Sequence, residues 1–216
     1  MQTHFDQGLA ELKTQLLTMG SHAEAAVTNA VKALVERDDR LAQKVDEDDA
    51  ILDQFEKEID EMAIQLLSKA PLASDLRLIA VAMKVSQNLE RVGDEATKIS
   101  RRARELNQEP QLKAWVDIPN MAKIALDMLK SALDSFVHRD PDRARAIIPR
   151  DKDVDLLNKQ LHRELASFMV ENPNTITRCL NLMVISKSLE RIADHATNVA
   201  EEVVYLCEAR DIRHGG

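Results

Sequence analysis

The chain has 216 residues, a formal net charge of −8, 44% apolar and 31% charged residues, and only 3% aromatics. That balance excludes a disordered tail and argues against a general nucleic-acid binder, which presents a basic face. Five Gly and six Pro are few for this length, so long helices with a core of Leu, Ile, Val, Ala and Met are expected.

The start, MQTHFDQGLAELK, lacks the basic residues and apolar run of a secretory signal, and no stretch reaches 18 uninterrupted apolar residues. A cytoplasmic location is expected, with membrane association only through partners. Cys179 and Cys207 fall on one predicted helix, 28 residues apart, hence about 42 Å apart at 1.5 Å per residue. They cannot bridge each other there, and two lone thiols suit a reducing compartment.

Taken in chain order, the apolar spacing is helical almost throughout. Phe5, Leu9, Leu12, Leu16, Met19, Ala23, Ala26 and Ala30 step by fours and threes along the first helix. Leu41, Val45, Leu52, Phe55, Ile59, Met62 and Leu66 mark the second, with polar Asp48 breaking the stripe. Asp38-Asp39 caps its start, and Pro71 separates it from a third helix over about 72–107. The third carries Leu78, Ala82, Val85, Leu89, Val92, Ala96, Ile99, Ala103 and Leu106. Alternating four- and three-residue steps are the seam of antiparallel helices packed as a bundle.

Residues 108–118 hold two prolines and the only Trp, Trp115, and read as a linker, with the Trp as a clamp between lobes. Beyond it the plan repeats. Met121, Ala125, Met128, Ala132 and Phe136 mark a fourth helix, and Asp140-Pro141 opens a fifth as N-cap and first helical residue. Pro149 is expected to interrupt the fifth. Asn172-Pro173 opens a sixth, with Ile185, Leu189, Ile192, Ala196, Val199, Val203 and Leu206 on its seam.

The repeat is explicit in sequence. Leu89–Thr97, LERVGDEAT, returns as Leu189–Thr197, LERIADHAT, with six of nine positions identical. A period of half the chain means a duplicated unit. The fold expected is all-α: two tandem, pseudo-symmetric three-helix bundles of six long helices, over residues 1–107 and 119–210, with a tail at 211–216.

The repeat keeps an acidic pair, Glu90/Asp94 and Glu190/Asp194, at i,i+4 spacing. Like charges so placed cost a helix about 0.2–0.5 kcal/mol, so surface design alone does not favour repeating them. Measured from the Leu89/Val92 seam, both members are expected to face outward. Further acids recur on the second and fifth helices, Asp49 and Asp53 matching Asp151 and Asp155 at an offset of 102. Asn198 and Glu201 extend the second acidic face, whereas Lys98 and Arg101 stand at the matching places in the first. The second site is therefore expected to be the stronger.

Two readings stand for these acids: a solvated outer face, with Asp94 and Lys98 as an i,i+4 ion pair, or a metal site. Carboxylates without Cys or convergent His select Mg, Mn, Ca or Fe over structural zinc. The six His are scattered, His195 reads as a surface residue, and no Glu-x-x-His pair, phosphate loop or nucleophile elbow is present.

Two long-helix lobes carrying LERVGD and LERIAD, with TQLLTMG at Thr14–Gly20, ASDLRL at Ala73–Leu78 and DIRHGG at Asp211–Gly216, resemble the PhoU family over essentially the whole chain. That resemblance implies a cytoplasmic, dimeric, all-helical protein without enzymatic activity. It implies a divalent or ferric metal ion (Mg, Mn or Fe) on the acidic surfaces, at Glu90/Asp94 and Glu190/Asp194. It also implies a link between the ATPase subunit of the phosphate ABC transporter, PstB, and the sensor histidine kinase PhoR, repressing the phosphate-starvation response when phosphate is plentiful. The competing readings are a metal-dependent phosphate-ester hydrolase and a purely structural helical adaptor.

Overall fold

The structure, a computed structural model, describes residues 4–70, 72–112 and 117–212. Pro71, Trp115 and the last residues of the tail, which carry expectations above, lie outside these ranges. Among the described residues there is no strand: α1 (His4–Glu36), α2 (Asp39–Leu67) and α3 (Ala73–Asn107) form the first half. The second half is α4 (Asp117–His138), α5 (Pro141–Ile147), α6 (Asp151–Glu171) and α7 (Ile176–Glu208). The segment expected as one fifth helix is two, α5 and α6, joined by a 3-10 turn at Ile148–Arg150. Pro149 is the cause, since it supplies no N–H to the ladder and its ring crowds the carbonyl four residues earlier. A second 3-10 turn, Pro173–Thr175, precedes α7.

The turn closing each half's first helix is built twice in the same way. Arg37 and Arg139 end α1 and α4 in the left-handed region, at φ 57° and 51°. The backbone N–H of the next residue then reaches back, Asp38 to Ala33 O and Asp140 to Ser135 O, both at 3.0 Å. The same aspartates cap the following helices, Asp38 Oδ1 accepting from Arg40 N and Leu41 N, and Asp140 Oδ1 from Arg143 N. This satisfies backbone donors that a helix start leaves unpaired. Arg37 further ties the turn to the end of α3, donating to the carbonyls of Asn107 and Glu109.

Most seam residues read from sequence are buried: Leu12, Leu16, Met19, Val85, Leu89, Val92 and Ile99 are fully so, as are Met121, Met128, Ile185, Leu189 and Ile192, while Phe5, Leu9, Ala26, Leu41, Phe55 and Met62 are partly buried. The core is continuous from one half to the other. The halves meet because α3 packs along α7, and α1 touches α4 where Gly20 lets Leu133 approach. Paired residues run in opposite directions along this seam (Lys84 with Glu202, Asn88 with His195, Glu95 with Arg191), so α3 and α7 are antiparallel. Each is therefore covered on three sides rather than one.

Gly93 marks the tightest approach inside the first half. A Cβ there would lie 2.3 Å from Leu52 Cδ1 on α2. At the matching places the second half has Ala193 and Val154, so a methyl group lost on one helix is taken up by the facing one. Alanine gains about 1 kcal/mol over glycine in a helix interior, while overpacking a closed core costs about 1–3 kcal/mol. Gly93→Ala should accordingly be more favourable in a Leu52→Val background than in the natural chain, by about 1–2 kcal/mol. Urea unfolding of the two single variants and the double variant measures this, and additive effects would show that the contact does not govern packing.

Candidate metal centres and the groove between them

The motif helices α3 and α7 place the acids beside their neighbours α2 and α6. Glu90 and Asp94 gather with Asp49, Asp53 and Glu56 of α2, and each of Asp94, Glu56 and Asp53 raises the proton affinity of Glu90. Across the duplication, Glu190 and Asp194 gather with Asp151 and Asp155 of α6. The members predicted by the offset of 102 are thus brought together with the motif acids on both sides.

Their exposure departs from the expected outward pair. Asp94 and Asp194 are exposed, but Glu90 is half-buried and Glu190 is only 9% exposed. The reason is the third neighbour. A helix with one core face leaves its opposite side wet, whereas α3 and α7 pack on two helices of their own half and on each other. Burial therefore pushes Glu90 up to about 6, with Asp94, Glu56 and Asp53 adding to it. Asp194 is likewise pushed up to about 6 by burial and then by Glu190 and Asp151. Burial is also the first cause of the raised values of Asp49 and Asp151, with Asp94 and Asp53 contributing to the former, Asp155 and Glu190 to the latter.

Of the cations expected to weaken the first face, Lys98 is engaged elsewhere, and Arg101 still lowers the proton affinity of Asp49. Lys98 does not pair with Asp94; its Nζ lies 2.9 Å from Glu95 Oε1. Arg101 turns to Asp46, 3.7 Å away. On the second face Lys187 ion-pairs with Glu190, and Lys159 with Asp155 at 3.2 Å. Asn198 does not join the second cluster's pairings but donates to Asn88 Oδ1 on α3 at 3.3 Å, and Glu201 is half-buried further along α7. Two lysines thus pair directly with the second face, whereas among the described residues the first is balanced across space, by Arg91 and Arg101. Sequence reasoning missed Glu56, although it follows Asp49 and Asp53 at helical spacing; its counterpart is the neutral Asn158.

The donor set is oxygen throughout, which suits Mg, Mn or ferric iron. Asp151 Oδ1 is buried without a hydrogen-bond partner, and Thr197 Oγ1 is too, whereas the matching Asp49 Oδ1 accepts from Thr97 Oγ1 at 3.1 Å. Among the described residues no three Asp, Glu, His or Cys side chains already converge to hold an ion. The fit is therefore one of donor chemistry alone.

Between the acidic faces runs a groove along the α3–α7 seam, lined by acids of both faces, Glu90, Asp94 and Asp194, together with Arg91, Glu95, Lys98, Arg191, His195 and Asn198. His195, expected at the surface, is half-buried here and meets Asn88 Oδ1 through Nδ1 at 3.0 Å. Since an amide oxygen only accepts, Nδ1 carries the proton. Burial and then Arg91 lower the ring's proton affinity.

The raised carboxyls fix a pH dependence. Glu90 and Asp194 bind protons in the folded chain up to about pH 6, against about 4 in an unfolded one. Their contribution to stability is complete below the unfolded value and is lost as pH rises through the folded one. Glu90→Gln and Asp194→Asn should therefore raise the melting temperature at pH 7.5, with the gain fading toward pH 4. Partial exposure keeps each effect below about 1 kcal/mol. Melting curves across that range check it, and a gain that persists at pH 4 would point to packing instead.

With this geometry in place, comparison with known proteins identifies the fold. The PhoU domain family matches twice, over residues 16–103 and 118–203. The chain is 42% identical over 214 residues to the phosphate-specific transport system accessory protein PhoU homolog of Pseudomonas putida, covering 98% of this chain and 84% of that one. It is 35% identical over 213 residues to the accessory protein PhoU of Escherichia coli, covering 98% and 88%. The crystal structure of PhoU from Pseudomonas aeruginosa aligns with a TM-score of 0.92 at 41% identity, covering 96% of this chain and 100% of that one. The phosphate transport system regulatory protein PhoU from Streptococcus pneumoniae aligns at 0.91 with 29% identity, covering 97% and 99%. The chain belongs to the PhoU family.

Proposed function

We propose that this protein is a non-catalytic, cytoplasmic regulator of phosphate transport. It links the ATPase subunit of the phosphate ABC transporter, PstB, to the sensor histidine kinase PhoR and represses the starvation response and phosphate uptake when phosphate is abundant. The relatives' names, an accessory protein and a regulatory protein of phosphate transport, support the first half of this reading. The link to the kinase, the repression and a homodimeric state extend the family resemblance.

The observation that carries the reading is the pair of matched acidic faces on long, packed helices. Glu90, Asp94, Asp49 and Asp53 gather on one side and Glu190, Asp194, Asp151 and Asp155 on the other, and burial raises the proton affinity of Glu90, Asp49, Asp194 and Asp151 among them. A divalent or ferric ion held there supplies positive charge where the chain has an excess of negative charge. The chain's own residues then present a defined surface to partners, where peripheral charges set partner choice and association rate more than total affinity. The raised carboxyls also make this surface responsive to cations, because an ion replaces protons there.

Two measurements test the reading. Manganese titration should show that Glu90→Gln/Asp94→Asn costs at least as much affinity as Glu190→Gln/Asp194→Asn, since among the described residues the lysine ion pairs fall on the second face. No loss from either pair would remove the metal from the account. For signalling, the quadruple Gln/Asn variant should keep its helix content by circular dichroism yet derepress a phosphate-starvation reporter at high phosphate. A folded quadruple variant that still represses fully would leave these acids without a signalling role, as the structural-adaptor reading predicts.

A further inference from the structure

The duplication shows what each groove residue would have as a partner if the two halves were identical. The lining comes in matched pairs, Arg91 with Arg191, Glu95 with His195 and Lys98 with Asn198, and beside it Asn88 matches Ser188. On one side of the seam the set is closed. Glu95, 4% exposed, takes Arg191 Nη1 at 3.3 Å and Lys98 Nζ at 2.9 Å on Oε1. Burial raises the proton affinity of this carboxyl, but the hydrogen bonds from Lys98 and Ser188 and the charges of Lys98 and Arg191 outweigh it and hold Glu95 ionised.

On the other side the set is open. His195 stands where the matching carboxylate would be, and its ring is taken by Asn88. Arg91 is exposed and, among the described residues, holds no carboxylate in an ion pair or hydrogen bond; Glu90, Glu56 and His195 feel its charge only across space. The groove carries three cations, Arg91, Lys98 and Arg191, against four carboxylates, Glu90, Asp94, Glu95 and Asp194, and of the cations Lys98 and Arg191 are both engaged by Glu95.

We propose that Arg91 anchors an oxyanion site in the α3–α7 groove, in the place that the missing counterpart of Glu95 would fill, and that the oxyanion is phosphate. A guanidinium fork matches two phosphate oxygens. The Asn198 amide beside it has a second N–H besides the one given to Asn88. Glu90, Asp94 and Asp194 in the lining repel extended polyanions and keep the affinity low. A small, singly placed oxyanion is what this arrangement accepts, and a low-affinity site fills only when its ligand is abundant. The choice of phosphate rests on the phosphate-regulation reading above.

Titration calorimetry of the whole protein with inorganic phosphate tests the site, with phenyl phosphate as a second ligand and melting curves for every variant. His195→Glu restores the missing carboxylate to Arg91 and should weaken phosphate binding about tenfold or more. Arg91→Ala, at an exposed position, should do the same without depending on how a new carboxylate packs. Tighter binding of phenyl phosphate than of inorganic phosphate would assign the oxyanion to a phosphoryl group carried by a partner, and the reverse order to free phosphate. No phosphate binding by the natural chain, or binding unchanged in folded Arg91→Ala, would overturn the proposal. These readings are independent of the reporter assay with the acid variants, so failure of the signalling role and failure of this site are told apart.

Discussion

The antiparallel packing of α3 on α7 is the contact on which the rest of the molecule depends. It joins the two halves of the duplication, and beside the apolar core they share it does so with polar groups. Glu95 is enclosed by Lys98, Arg191 and Ser188; Asn88 accepts from His195 and Asn198; Glu202 closes on Lys84, which with Arg77 lies over the Tyr205 ring. Removing one member of such a network strands a buried charge, a larger loss than the net worth of the pair. The seam also sets the exposure of the motif. Each acidic pair sits where a helix is enclosed on three sides, and that enclosure lifts Glu90 and Asp194 into the range where protons and cations compete.

Much of this was legible in the chain. Helical period, aspartate caps, the proline interruption at Pro149 and the duplication all rest on local chemistry, and the offset of 102 already paired Asp49 and Asp53 with Asp151 and Asp155. What periodicity does not report is how many neighbours a helix has. A single apolar stripe locates one core face, so Glu190 looked solvent-facing and His195 superficial. Lys98 illustrates the same limit: spacing allowed Asp94 or Glu95 as its partner, and the approach of α7, which buries Glu95, decided the choice. Glu56 was overlooked because the repeat test rewards identity, and its counterpart Asn158 is neutral. Asn158 instead joins a buried network with Ser186 and His162 that the first half lacks.

The two halves are therefore alike in frame and unlike in charge. In the first, five carboxylates gather between α2 and α3, and the Thr97–Asp49 hydrogen bond closes one of them. In the second, Lys187 and Lys159 take up part of the charge, and the equivalent threonine and aspartate oxygens have no such bond. Such divergence on a shared frame lets one chain carry two related but separately tuned surfaces, with the groove between them neither purely acidic nor symmetric.

The order in which the seam is assembled has its own consequence. Glu95 and Arg191 are separated by 96 positions, and α7 is made after α1–α6. During synthesis the first half emerges and folds well before its partner helix exists, so one side of α3 waits in water. An apolar surface left waiting would invite association between nascent chains. The part of that surface made of Asn88, Arg91, Glu95 and Lys98 can be hydrated until α7 arrives, so the polarity that makes the finished contact demanding also lowers the apolar area the half-built chain exposes.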